Sequence, residues 1–122
     1  MSEIKQIAPD EWSKFLQEFS ERNRERRARF QIFRGQDVEN DNEEANLAEV
    51  SIVRENGSNT VTVTRVYNPQ QNGGEKIEDS ITNVVGISVQ YDTDGSENVL
   101  EITDRENELV SLRMESRVDG AS

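Results

Sequence analysis

The chain has 122 residues, a formal net charge of −11, 32% hydrophobic and 32% charged residues, and neither cysteine nor histidine. That length sets a single domain, 1–122, large enough to fold without a metal or a disulfide, and the missing residue types exclude disulfides, thiolate metal sites, cysteine nucleophiles and the commonest general base. No apolar run approaches the ~18 residues of a membrane span and the N-terminus carries no signal-peptide core, so the expected setting is cytoplasmic, away from the membrane.

The first predicted element is a helix over 9–24. Pro9 suits a first helical turn, and Asp10 and Glu11 place negative charge at the positive end of the helix dipole. Trp12, Phe15, Leu16 and Phe19 follow at i, i+3, i+4 and i+7, one apolar face that is expected to be the centre of the core. The stripe stops at Phe19, and "RNRERRARF" (22–30) then holds five of the fourteen basic residues. Charge is therefore unevenly spread: residues 1–34 carry eight basic and six acidic side chains, residues 35–122 six basic and nineteen acidic.

Everything after Ala28 reads as strands. "RFQIFR" (29–34) alternates, "DVENDNEE" (37–44) has no periodicity and reads as a solvated loop, and "LAEVSIVRE" (47–55) and "TVTVTRVY" (60–67) flank an Asn56-Gly57 hairpin turn. After a turn at 68–74 come "KIEDSI" (76–81), "NVVGISVQY" (83–91), a turn at 92–97, "NVLEITD" (98–104) and "ELVSLRME" (108–115), with residues 116–122 expected to fray. Tight turns mean antiparallel neighbours. The expected fold is α+β: one N-terminal helix packed on a curved antiparallel sheet of about six strands. Gly86 is expected to mark a bulge or a close approach of the helix beneath Trp12.

One face of the sheet collects Phe30, Ile32, Val50, Ile52, Val61, Val63, Val85, Ile87, Val89, Leu100 and Ile102. The opposite parity carries Phe33, Val53, Val66, Val84 and Val99, either scattered β-formers or an interface patch suited to a homodimer.

No catalytic constellation, phosphate loop or cofactor motif stands out, so no enzyme activity and no cofactor is expected. "DTDGSEN" (92–98) offers Asp92, Asp94 and Glu97 as oxygen donors, but position twelve of a calcium loop falls on Thr103, and a turn on Asp94-Gly95 is the better reading, with no metal.

The arginines carry the sharpest functional expectation. Arg22, Arg24, Arg26, Arg27 and Arg29 are candidates for binding an acidic partner, since arginine forks suit carboxylate and phosphate. The alternative is helix capping, with Glu18–Arg22 and Glu21–Arg24 pairs and contacts to the chain's own acidic segments such as 37–44. Nucleic acid is not an expected partner, because the rest of the chain would repel it.

The helix motif "WSKFLQEFS" (12–20), "DSITNVV" (79–85), "LEI" (100–102) and "LVSLRM" (109–114) resemble a family of small uncharacterised bacterial proteins, a domain of unknown function with a W-x-x-F-x-x-x-F helix before an antiparallel sheet. The likeness covers roughly residues 7–115. It implies a fold and a bacterial cytosolic setting, and transfers no site residue; the arginine run departs from the shorter, less basic link such members carry. Together these features lead to the expectation of a non-enzymatic protein-interaction or regulatory accessory module. The alternative is a small-molecule-binding protein with a pocket between helix and sheet lined by Trp12 and Tyr91.

Overall fold

A computed structural model describes residues 4–34, 37–40, 45–67 and 74–115. The expected turn at 68–74 and tail at 116–122 lie wholly or largely outside them. In chain order the elements are β1 (Ile4–Gln6), a 3₁₀ turn (Pro9–Glu11), α1 (Trp12–Asn23), β2 (Arg27–Arg34), β3 (Asp37–Asn40), β4 (Ala45–Glu55), β5 (Ser58–Tyr67), β6 (Glu75–Ile81), β7 (Val84–Tyr91), β8 (Glu97–Asp104) and β9 (Leu109–Met114).

The expectation of an α+β domain with about six strands is overturned. The described residues form one antiparallel sheet ordered β1-β7-β8-β9-β2-β4-β5-β6, with β3 folded onto β2, and a single helix of 12 residues. The protein is mostly sheet. Two short strands account for much of the difference. Residues 37–40, read as part of a solvated loop, pair with 31–34 as β3, and Ile4–Gln6 pair with Ser88–Gln90 as β1. Pairing needs only backbone N–H and C=O groups, so a charged segment without hydrophobic alternation can still add an edge strand. Charged side chains are what discourage such an edge from recruiting another chain.

β2 is where the sheet divides. It pairs β9 along 28–33 on one side; on the other it meets β4 only at Arg27 and Ala28 before β3 takes over. The limb β4-β5-β6 can therefore fold over the limb β7-β8-β9-β2, and the inner faces of both share one core: Val50, Val61 and Val63 from the first, Phe30, Ile87, Val89, Leu100, Ile102 and Leu112 from the second.

α1 closes the opening, with Trp12, Leu16 and Phe19 buried at 5%, 0% and 0% exposure. Phe15, expected at the centre, packs only partly against this cluster. Trp12 donates its indole N–H to Ile7 O at 2.9 Å, and Ile7 N–H donates to Ile87 O at 2.9 Å, which fixes the entry to the helix. Ser20 seals the edge of β4: its hydroxyl accepts the Val50 N–H at 2.8 Å and lies 3.0 Å from Val50 O and 2.8 Å from Leu16 O. A hydroxyl on the helix thus meets both backbone groups of a residue beyond the reach of β2.

The Asn56-Gly57 turn has φ of 52° and 76°, as a hairpin with two left-handed central residues requires. At Gly86 the pairing slips by one residue between Val84 and Gly86. That bulge reverses the parity of the valines before it. Val84 enters the core at 3% exposure and Val85 turns out at 51%. A Cβ at Gly86 would meet only Thr103, at an ordinary contact distance of 3.8 Å, so the helix does not approach the glycine; what lies there is the bulge.

Candidate functional site: the arginine run and the outer face of β2–β9

The arginines of 22–29 do not form one cluster. Helix and strand geometry sends them to two places. α1 ends at Asn23, Glu25 turns the chain at φ 74°, and Arg27 begins β2.

The first group grips the strand β8. Arg22 donates Nε to Glu97 Oε1 at 2.9 Å and Nη2 to Glu97 Oε2 at 2.6 Å. Glu97 is buried at 6% exposure, and Asn23 Nδ2 donates to its Oε1 at 2.9 Å while also reaching Phe19 O at 2.9 Å. The amide oxygen of Asn23 accepts from Arg26 Nη1 at 2.8 Å, and the same nitrogen reaches Glu97 O at 2.7 Å. Arg26 Nη2 donates to Glu115 O. Helix end, start of β8 and end of β9 are therefore tied by one charge-assisted network. The Glu97 hydrogen bond is the main cause that holds the Arg22 guanidinium above its ordinary pKa. Arg22 also lies 5.9 Å from the Phe15 ring centroid.

The second group faces water. Arg24, Arg27 and Arg29 are exposed. Arg24 makes a long 3.5 Å contact to Ala48 O. Arg29 lies directly across from Arg113 of β9, and Arg113 donates Nε to Gln31 Oε1 at 2.6 Å. A polar cleft of about 300 Å³ is lined by Arg27, Ala28, Arg29, Asn98, Arg113, Met114 and Glu115.

Of the five apolar residues of opposite parity, Val84 and Val99 are buried within the chain at 3% and 2%, Phe33 and Val66 are half-buried, and Val53 is exposed at 52%. Val99 lies across from Arg113, and a long arginine stem is able to cover apolar surface while its head stays wet. The acidic stretch 37–44 was a candidate partner for the arginines; its side chains lie outside the described residues, and the partner seen is Glu97.

Sequence reasoning missed Arg65. This side chain is 1% exposed, stacks its guanidinium 4.5 Å from the Phe30 ring centroid, and donates to Ala28 O at 3.2 Å and Asp79 Oδ2 at 3.4 Å. Its inner parity with Val61 and Val63 on β5 was the available signal. Arg113 was missed too, since it is distant in sequence from the run that it faces.

At the 92–97 turn, Asp94 accepts from the Ser96 amide at 2.9 Å and from the Ser96 hydroxyl, so its carboxylate shapes the turn. Among the described residues no cluster of three or more acidic groups is placed to hold a metal, and no helix is long and apolar enough to cross a membrane. No family model, no curated protein and no solved structure matches the chain.

Proposed function

We propose that this chain is a non-enzymatic interaction module of the cytoplasm that engages an acidic protein partner through the arginines its own fold leaves at the surface. The observation that carries this reading is the division of the arginine run. Arg22 and Arg26 are drawn into the network on Glu97, while Arg24, Arg27 and Arg29 stand exposed on the same short stretch. In a chain of net charge −11, exposed arginines on one short stretch of sequence give an acidic partner local points of attraction, and they set its orientation more than its affinity.

The packing beneath the helix supports this reading over a ligand pocket there. Leu16 and Phe19 fill the space between helix and sheet, and the cleft of about 550 Å³ at the start of the helix, lined by Trp12 and Ser13 with Ile52, Arg54 and Asn59 of the sheet, is open to solvent and not enclosed. Tyr91 packs against the core and shares no described cleft with Trp12.

The test is capture of partners from a bacterial lysate by the wild-type chain and by R24E/R27E, with folding checked by circular dichroism. Partner binding that is lost on charge reversal at low and moderate salt supports the module. Binding that survives reversal, or none by the folded wild type, contradicts it.

A further inference from the structure

We propose that Arg29 and Arg113 form an oxyanion-binding site on the outer face of β2–β9, taking a carboxylate or phosphate group between their guanidinium forks. Two like charges directly opposite on an antiparallel pair destabilise the sheet, yet β2 and β9 place Arg29 and Arg113 in that register, one step from the end of their ladder. The chain has 25 acidic side chains from which to draw a partner. Among the described residues, none makes a hydrogen bond or ion pair with Arg29, and the single bond of Arg113 is to the neutral amide of Gln31. The contrast with Arg22, Arg26 and Arg65, each engaged by carboxylate or carbonyl oxygens, is the basis of the inference.

The geometry suits an oxyanion. Gln31 takes the Nε of Arg113 and so orients the plane of that guanidinium, leaving its two terminal nitrogens directed elsewhere. The cleft beside the pair adds the Asn98 and Arg27 side chains, with the Glu115 carboxylate as its acidic member. Paired planar forks are the arrangement that recognises carboxylate and phosphate by two parallel N–H···O bonds. A bound oxyanion would also relieve the repulsion between the two arginines, so ligand binding and strand pairing would support each other. This site shares Arg29 with the surface in the proposed function but does not need a protein partner.

The experiment follows the arginine Nε–Hε signals of the ¹⁵N-labelled chain during separate titrations with inorganic phosphate, succinate and, at matched ionic strength, sodium chloride. Saturable shifts at Arg29 and Arg113 with phosphate or succinate, absent with chloride and weakened about ten- to a hundred-fold in R29Q/R113Q, are the expected result. Tighter phosphate binding assigns the site to a phosphorylated ligand; tighter succinate binding assigns it to carboxylates, including acidic side chains of a partner. Should the double variant fail to fold, R113K keeps the charge, removes the fork and is expected to weaken binding alone. Shifts that are linear in anion, equal with chloride, or retained in the variants overturn the site. Because lysate capture uses R24E/R27E, its failure alongside intact anion binding would remove the module and leave the site standing.

Discussion

Arg22 holds Glu97 by a two-pronged fork, Nε to Oε1 at 2.9 Å and Nη2 to Oε2 at 2.6 Å, across 75 residues of sequence. The carboxylate is buried and the arginine is half in water, with side-chain exposures of 6% and 48%. Burial of Glu97 is possible because three nitrogen donors, two from Arg22 and one from Asn23, replace its water. The fork therefore explains part of the basic run by the fold alone: the last turn of the helix carries Arg22 opposite the buried acid that begins β8.

Ser20 joins α1 to β4 through the amide of Val50. Ser20→Ala removes the acceptor and leaves a buried N–H without its partner, so it should cost about 1–3 kcal/mol in urea unfolding. A change below about 0.5 kcal/mol would mean that the helix does not seal that edge.

The helix core centres on Leu16 and Phe19, both at 0% exposure. Phe19→Ala should cost about 3–5 kcal/mol. Phe15→Ala should cost clearly less, because the ring is only partly buried and its contacts include the tilted Phe19 ring, with centroids 5.9 Å apart, and Arg22. Equal losses would place the core nearer the N-terminal half of the helix than described.

Arg65 makes an ion pair whose other member, Asp79, is 46% exposed. Arg65→Ala leaves a void over Phe30 and strips a donor from Ala28 O, and should cost about 3 kcal/mol or more. Arg65→Met refills much of the volume and should recover a good part of that loss. If Met were as damaging as Ala, the charge and not the packing would be the essential property of this side chain.

Asp94 titrates below the ordinary aspartate range because its carboxylate accepts the Ser96 hydroxyl and amide. With a folded pKa below the unfolded value, any stabilisation from this turn is complete above the unfolded pKa of about 3.9 and is lost as pH falls through the folded one. Carboxyl chemical shifts should report that lowered pKa, and Ser96→Ala should raise it toward the ordinary value. An unchanged pKa in S96A would dissociate the hydroxyl from the shift.

The strands most legible in the sequence were those with clean alternation and turn residues: the hairpin 45–67 with Asn56-Gly57, and β8 and β9. Alternation reports burial of one face, so it could not reveal β1 or β3, which join the sheet by backbone pairing at its edges. It also misassigned Val84 and Val85, because a bulge moves parity by one residue and leaves only a glycine as its trace. The arginine run was visible as a charge anomaly, but its partners were not. Glu97 falls at the end of the stretch read as the 92–97 turn, where nothing marks it as a buried acid, and Arg113 becomes relevant only through the β2–β9 register. Reversal of Arg26 and Arg27 together, a natural test from sequence alone, would have mixed the two roles, since Arg26 bonds the backbone at Glu97 and Glu115.

The central claim is that one arginine run serves two purposes, the fold at 22 and 26 and recognition at 29. Urea unfolding of R22Q, R26Q and R29Q, compared under one buffer without added phosphate or carboxylate, tests it most directly. R22Q and R26Q should each lose about 1.5–3 kcal/mol, the scale of hydrogen bonds to charged groups, whereas R29Q should lose nothing and gain up to about 1 kcal/mol as its repulsion with Arg113 is relieved. Similar losses in all three variants, or a larger loss in R29Q than in R22Q, would contradict the division.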